Sequence, residues 1–186
     1  MLLKGALHIH TTCSDGALTI QETADVYAGL GFDFIALTDH DSLLRKDCYD
    51  DQLAGVRTDL IIFKGIELTV FEKGYVHVSR IDGDSETLHI FNHPGELNLP
   101  LEKVIDRIAG VAKKIPLDAV EVTTKGFYTP EYDIEDIPYT KVATDDSHTR
   151  IGCGRAWIEM DCRKTKDSII RAIRRGKFWN CYGKTT

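Results

Sequence analysis

No stretch of the 186 residues approaches the roughly 18 consecutive apolar side chains that a membrane span requires; the longest runs are four or five residues, such as Leu60-Ile61-Ile62-Phe63. The sequence therefore predicts no membrane partner. The opening MLLKGALHIHTT is too short in apolar residues for a secretory leader, which predicts a cytoplasmic protein. The five cysteines (Cys13, Cys48, Cys153, Cys162, Cys181) are odd in number and contain no C-x-x-C pair, so neither a disulfide framework nor a thiolate zinc site is suggested. Free thiols in a reducing compartment are expected. Internal repeats, low-complexity tracts and interdomain linkers are also missing, which predicts a single domain over residues 1–186, long enough to bury a core without covalent staples.

What the chain does have is unevenly placed. Residues 1–162 carry 15 basic and 28 acidic side chains, whereas residues 163–186 carry eight and one, within a net charge of −6. Of the seven histidines, His8, His10, His40, His77, His93 and His148 stand beside carboxylates or turn signals, and only His89 stands apart.

Strand-type runs are expected at residues 5–10, 32–37, 60–70, 75–81, 88–92, 118–123, 140–145 and 155–160, each bounded by polar or Gly/Pro signals. Three helices are expected. Thr19 and Glu22 form a capping box ahead of Ile20, Ala24, Tyr27 and Leu30, with Gly31 as the stop. Residues 101–115 place Leu101, Val104, Ile105, Ile108, Val111 and Ala112 at helical spacing, and a last helix runs from Thr165 to Gly176. Strands alternating with helices predict an α/β protein with a mostly parallel sheet, and Lys125 to Pro138 reads as a loop.

The chemistry collects where predicted strands end. His8 and His10 are two apart on extended chain, so their side chains leave one face and can grip one ion. The following turn supplies Asp15, the next strand ends at His40, Glu67 lies in the third, His77 sits in a hairpin-like strand, His93 precedes Pro94-Gly95, and Asp146-Ser147-His148 ends the 140s strand. Imidazoles mixed with carboxylates and no thiolate suit Zn, Mn or Fe rather than Ca or Mg. These nine side chains (His8, His10, Asp15, His40, Glu67, His77, His93, Asp146 and His148) exceed what one ion can use and imply two to three divalent ions. Ligands at the C-terminal ends of successive strands are placed as in barrel active sites.

In this order, H8-I-H10-T-T-C-S-D15-G, T38-D39-H40, G65-I-E67, H77, N92-H93-P94 and D146-S-H148 resemble the polymerase and histidinol phosphatase (PHP) superfamily of metal-dependent phosphoesterases. The downstream G154-R-A-W-I-E and S168-I-I-R-A-I-R-R-G176 resemble that family's usual ending. The resemblance implies a distorted (β/α)7 TIM-like barrel with up to three metals in its mouth. It assigns His8, His10, Glu67 and Asp146 to a first metal, Glu67 with His77 and His93 to a second, and Asp15, His40 and His148 to a third. All nine positions are implied to be catalytic through the metals, and the implied reaction is hydrolysis of a phosphate ester by attack of a metal-bridging hydroxide. The short spacing from His40 to His93 implies an open, shallow mouth.

A small phosphorylated substrate is the expected partner. Lys125, Arg150 and Arg155 are expected to contact its phosphate, and Asp39 and Asp145 are candidates to accept from imidazole N–H groups. Cys13 is expected to fill space beside the metals. The alternative is a nuclease on nucleic acid, with Arg163, Lys164, Lys166, Arg171, Arg174, Arg175 and Lys177, followed by Phe178, Trp179 and Tyr182, as the phosphate-tracking surface. A third reading, a metal-binding module without turnover, sits poorly with an intact ligand set.

Overall fold

In the computed structural model, which describes residues 2–183, the chain begins with β1 (Leu2–Ala6), α1 (Ile20–Gly29), β2 (Phe34–Leu37), α2 (Lys46–Gly55), β3 (Ile61–Phe71), β4 (Tyr75–Asp82) and β5 (Thr87–Phe91), of which β2 is buried on both faces. They are followed by α3 (Leu101–Ala112), β6 (Ala119–Glu121), the short hairpin β7 (Thr123–Thr124) and β8 (Phe127–Tyr128), β9 (Thr140–Val142), β10 (Ala156–Asp161), α4 (Lys166–Arg174) and β11 (Trp179–Tyr182). Lys184 of the basic segment lies outside the described residues.

The main sheet has nine strands in the order β11-β10-β1-β2-β3-β4-β5-β6-β9 and curls into a nearly closed barrel, two strands more than the resemblance implies. Pairing is parallel from β1 to β3 and from β5 to β9, and antiparallel for β3-β4-β5 and for β1-β10-β11. The expected mostly parallel sheet is thus half antiparallel. The physical reason is length: β3 and β4 are joined by a tight hairpin, Lys73-Gly74, too short for the crossover that parallel strands need.

The edges of the barrel, β11 and β9, are bridged by a side chain. Asn180 accepts from the Ala143 N–H (2.8 Å) and donates to the Lys141 carbonyl (3.0 Å), standing in for a strand partner. Asn180→Leu would strand both backbone groups and is expected to lower stability by about 1–3 kcal/mol, read from the urea midpoint.

The expected capping box is present: Thr19 accepts from the Glu22 N–H and Glu22 accepts from the Thr19 N–H. Helix α2 was not legible in the periodicity, because its only fully buried side chain is Tyr49. Helix α4 closes the barrel end opposite the strand C-termini. Its Ile169, Ile170 and Ile173 join Leu3, Phe34, Phe63, Ile81, Leu88 and Met160 in one buried cluster. At about 1.5–3 kcal/mol per fully buried aliphatic side chain, this face accounts for the helix's docking.

Its polar face is bound locally. Arg171 pairs with Glu86, and Arg174 pairs with Glu86 and Asp118, residues at the starts of β5 and β6. Since Leu2 pairs with Asp161, Arg163 also stands at that end. Residues 163–177 of the basic segment therefore lie at the end of the barrel opposite His8 and His10, whereas β11 runs back along β10 and brings Tyr182 beside Tyr128 of the β7–β8 hairpin.

The expectation of five free thiols is corrected at two positions. Cys13 and Cys48 form a disulfide across a separation of 35 residues, tying the loop after β1 to α2, while Cys153, Cys162 and Cys181 are free. Spacing rules register local pairs, and this pair is made by the loop folding onto the helix.

Candidate metal centre

Each histidine of the cluster is delivered by a strand end or by the first turn beyond it. After β1 the chain stays extended, pinned by the His10 N–H to the Ser147 carbonyl (3.0 Å) and by an Ile9–Ser147 bridge. His8 and His10 consequently share a face, and their Nε2 atoms stand 3.1 Å apart. The His40–Glu67 bridge brings the end of β2 onto β3. His93 and Asp146, just past β5 and β9, adopt φ of 24° and 44°, a region that non-glycine residues enter uncommonly.

Glu67 is the hub and is fully buried. Its Oε1 lies 3.3 Å from His8 Nε2, 3.3 Å from His77 Nδ1 and 3.1 Å from His93 Nε2. Its Oε2 lies 3.3 Å from His10 Nε2 and 2.9 Å from His40 Nδ1. Asp146 Oδ1 stands 3.4–3.5 Å from His8, His10 and His148. Asp15 stands 3.4–3.6 Å from His10, His40 and His148 at the open rim.

All nine predicted ligands thus meet, in four overlapping sets: His10, Asp15, His40, His148; His8, His10, Asp146; His8, Glu67, His93; and His40, Glu67, His77. His77 and His93 fall in different sets and are joined through Glu67 Oε1.

These residues fit divalent cations on two grounds. Donors roughly 2.0–2.2 Å from one ion at tetrahedral angles stand about 3.3–3.6 Å apart, which matches most of the imidazole–carboxylate separations seen here, the closer His40–Glu67 and His93–Glu67 pairs apart. In addition, His10 Nδ1, Glu67 Oε2 and Asp146 Oδ1 are buried without any hydrogen-bond partner, a costly state that an ion relieves.

Imidazoles and carboxylates in the cluster shift one another's protonation. Burial opposes protonation of His8, but Glu121, Glu67 and Asp146 outweigh it and hold the imidazole well above 6.5. His10 and His93 are likewise raised, against burial, by Asp146 and Asp15 and by Glu67 and Glu121 respectively. Burial works to raise the carboxyls of Glu67 and Asp146, yet the surrounding imidazoles hold both well below the usual carboxylate range.

The expected supporting residues divide. Asp39 does not meet an imidazole; it accepts from the Thr11 N–H, the Thr11 hydroxyl and the Ser14 hydroxyl, fixing the loop that carries Asp15. Asp145 accepts from the Tyr27 hydroxyl (2.6 Å) and the Gly154 N–H (2.7 Å), and burial pushes its carboxyl up to about 7. Of the three expected phosphate contacts, Lys125 sits at the site, with Nζ 3.6 Å from Asp146 and 3.5 Å from Glu96. Arg155 instead lays its guanidinium over the Phe127 ring, and Arg150 is an exposed turn residue.

Two residues of the site carry no role in the sequence reading, Asn92 standing there only inside the N92-H93-P94 motif. Asn92 donates to Glu67 Oε1 (2.7 Å), and Glu121 accepts from His8 Nδ1 (2.7 Å). The signal for Glu121 was a carboxylate inside the apolar run Ala119-Val120-Glu121-Val122.

The PHP domain family profile matches residues 6–142. Among curated proteins, the DNA polymerase/3'-5' exonuclease PolX of Bacillus subtilis is 44% identical over 43 residues, which are 23% of this chain and 8% of that protein. Among solved structures, a two-domain protein from Bacteroides vulgatus containing a predicted PHP-like metal-dependent phosphoesterase superposes with a TM-score of 0.74 at 19% identity. That match covers 98% of this chain and 65% of the other. PsfC from Pseudomonas syringae superposes at 0.68 and 14% identity over 98% and 92% of the two chains. An amidohydrolase from Chromobacterium violaceum, with bound sulfate, superposes at 0.63 and 14% identity over 78% and 87%. At these identities the likeness is one of fold. The chain spans less than two thirds of the Bacteroides protein's length and matches only a small part of the polymerase.

Proposed function

The chain belongs to the PHP domain family, and from that premise we propose that it is a phosphoesterase that hydrolyses a small phosphate ester, a monoester or a nucleotide, with two to three Zn, Mn or Fe ions. The observation that carries this reading is the convergence of nine imidazoles and carboxylates on one barrel mouth with three buried donor atoms unsatisfied.

In this reading His8, His10, Glu67 and Asp146 hold ions at the buried floor, His77 and His93 meet Glu67 at one flank, and Asp15, His40 and His148 form the exposed rim. Ions held there would supply Lewis acidity to a phosphoryl oxygen and would lower the pKa of bound water toward about 7. The protein's own contribution is placement. Lys125, at a positive φ of 49° in the β7–β8 turn, points a cation at the edge of the cluster where a phosphate oxygen would lie. A cleft of about 210 Å³ lined by Tyr75, Val76, His77, Asn92, His93, Glu96 and Leu97 adjoins it and gives the ester's leaving group a place beside the reacting centre.

Lys125→Ala removes a charge-assisted contact of about 1.5–3 kcal/mol and is expected to raise KM about 10–100-fold while leaving metal content unchanged. The reading itself is tested by elemental analysis of the purified protein together with phosphate release from sugar phosphates, amino-acid phosphates, nucleotides and short oligonucleotides. Bound metal without release from any of them would return the protein to the class of metal-binding modules.

The nuclease reading draws on the 43-residue similarity to the PolX polymerase. Against it stands the position of Arg171 and Arg174, paired with Glu86 and Asp118 at the far end of the barrel. Oligonucleotide cleavage outpacing mononucleotide hydrolysis would favour it.

A further inference from the structure

Glu121 is buried at 1% exposure, takes no place in the nine-residue set, and its two oxygens accept from three strand ends at once. Oε1 faces His8 Nδ1 at 2.7 Å and accepts from the Thr144 hydroxyl at 2.7 Å; Oε2 accepts from the His93 backbone N–H at 2.6 Å. His8 follows β1, His93 follows β5 and Thr144 follows β9, so one carboxylate at the end of β6 gathers chain from both sides of the mouth.

We infer that Glu121 is the positioning residue of the centre: it holds the proton of His8 on Nδ1, leaving the Nε2 lone pair free to face His10, Glu67 and Asp146, and it fixes the strained backbone of His93. The inference rests on the metal-centre reading above and concerns how its ligands are set. The argument is one of donor and acceptor types. A carboxylate accepts only, so the nitrogen 2.7 Å from it must carry hydrogen, and a neutral imidazole has one hydrogen to place. Nε2 is then the bare nitrogen, the form a metal requires. The His93 N–H sits on a residue with φ of 24°, and its anchor at Glu121 Oε2 holds that side chain toward Glu67.

Glutamine at this position keeps the shape but offers one oxygen and one NH2. Whichever way it turns, either the His8 or the His93 donor meets another donor. If the NH2 faces His8, the imidazole moves its hydrogen to Nε2 and closes itself to the metal.

The test uses the whole chain. In the wild-type metal-free protein at a pH where His8 is neutral, the ¹⁵N shifts of its ring should report hydrogen on Nδ1; hydrogen on Nε2 would overturn the inference without any variant. Zinc affinity measured against a chromophoric chelator should fall about 10–100-fold in Glu121→Gln, with the circular dichroism spectrum retained. Equal affinity and equal ion count in the folded variant would also overturn it. If the wild-type protein binds no zinc or manganese, the functional reading fails, and the His8 tautomer still decides the role of Glu121.

Discussion

Glu67→Gln is expected to reduce kcat/KM by at least about 1,000-fold, with loss of bound metal and retention of the fold. The side chain places five imidazoles within 3.3 Å of its two oxygens, and Asn92 holds Oε1 from behind at 2.7 Å. Glutamine removes the negative charge shared by these sets and turns one acceptor into a donor aimed at the imidazoles. Losing Lewis-acid stabilisation worth several kcal/mol corresponds to about three powers of ten at 1.36 kcal/mol each. The pair to measure is elemental analysis and steady-state kinetics, with near-ultraviolet circular dichroism for packing. Activity within tenfold of wild type would show that Glu67 is structural and that the centre lies elsewhere. Asp146→Asn and His10→Ala should act in the same direction, Asp146 through three imidazoles and His10 through both the buried floor and the rim set of Asp15, His40 and His148.

The nine polar residues were legible because polar groups in buried strand ends have few structural excuses, and their order along the chain repeats a family pattern. Helix α1 was legible through its capping box, and Val104, Ile108 and Val111 of α3 are buried as their spacing required. What stayed hidden depended on partners distant in sequence. Glu121 looked like one polar residue in a strand until three strand ends converged on it. Asp39 and Asp145, adjacent to ligands, point to a loop and to Tyr27, because alternate residues of an extended chain face opposite sides. The basic C-terminal helix read as a potential binding surface, and only the antiparallel return of β10 along β1 shows that it plugs the end of the barrel opposite the mouth. Strand β11 escaped notice since Trp179 and Tyr182 are largely exposed and its closing contact is made by the side chain of Asn180.

Metal binding should be strongly pH-dependent, and so should the stability of the metal-free protein. His8, His10 and His93 have pKa values raised in the fold above 6.5. An imidazole so raised stabilises the fold fully below its unfolded pKa of about 6.5 and loses that contribution as the pH climbs through the folded value. Glu67, Asp146 and Asp15 are lowered, Asp15 chiefly by the neighbouring His10 imidazole, and their contribution is present above an unfolded pKa of about 4 and fades as the pH falls toward the folded value. Asp145, pushed up to about 7 by burial, adds a contribution present below an unfolded pKa of about 4 and lost as the pH rises through 7, with the lowered His148 working the other way. The Tm of the metal-free protein is therefore expected to be highest near about pH 4–5 and to drop toward pH 8.5. Zinc or manganese must displace these imidazole protons, so the affinity should weaken about tenfold per pH unit for each proton displaced, reaching about a hundredfold per unit where two leave together. Added metal should thus raise the Tm strongly at pH 8.5 and little at pH 5. Scanning calorimetry across that range, with and without chelator, reads the stability. Calorimetric titration in two buffers of different ionisation enthalpy counts the protons released. A metal-free Tm that rises from pH 6 to 8.5, or binding that releases no protons, would mean that the imidazoles are neutral before metal arrives. The raised values of His8, His10 and His93 would then be wrong in sign, although the ligand geometry would stand.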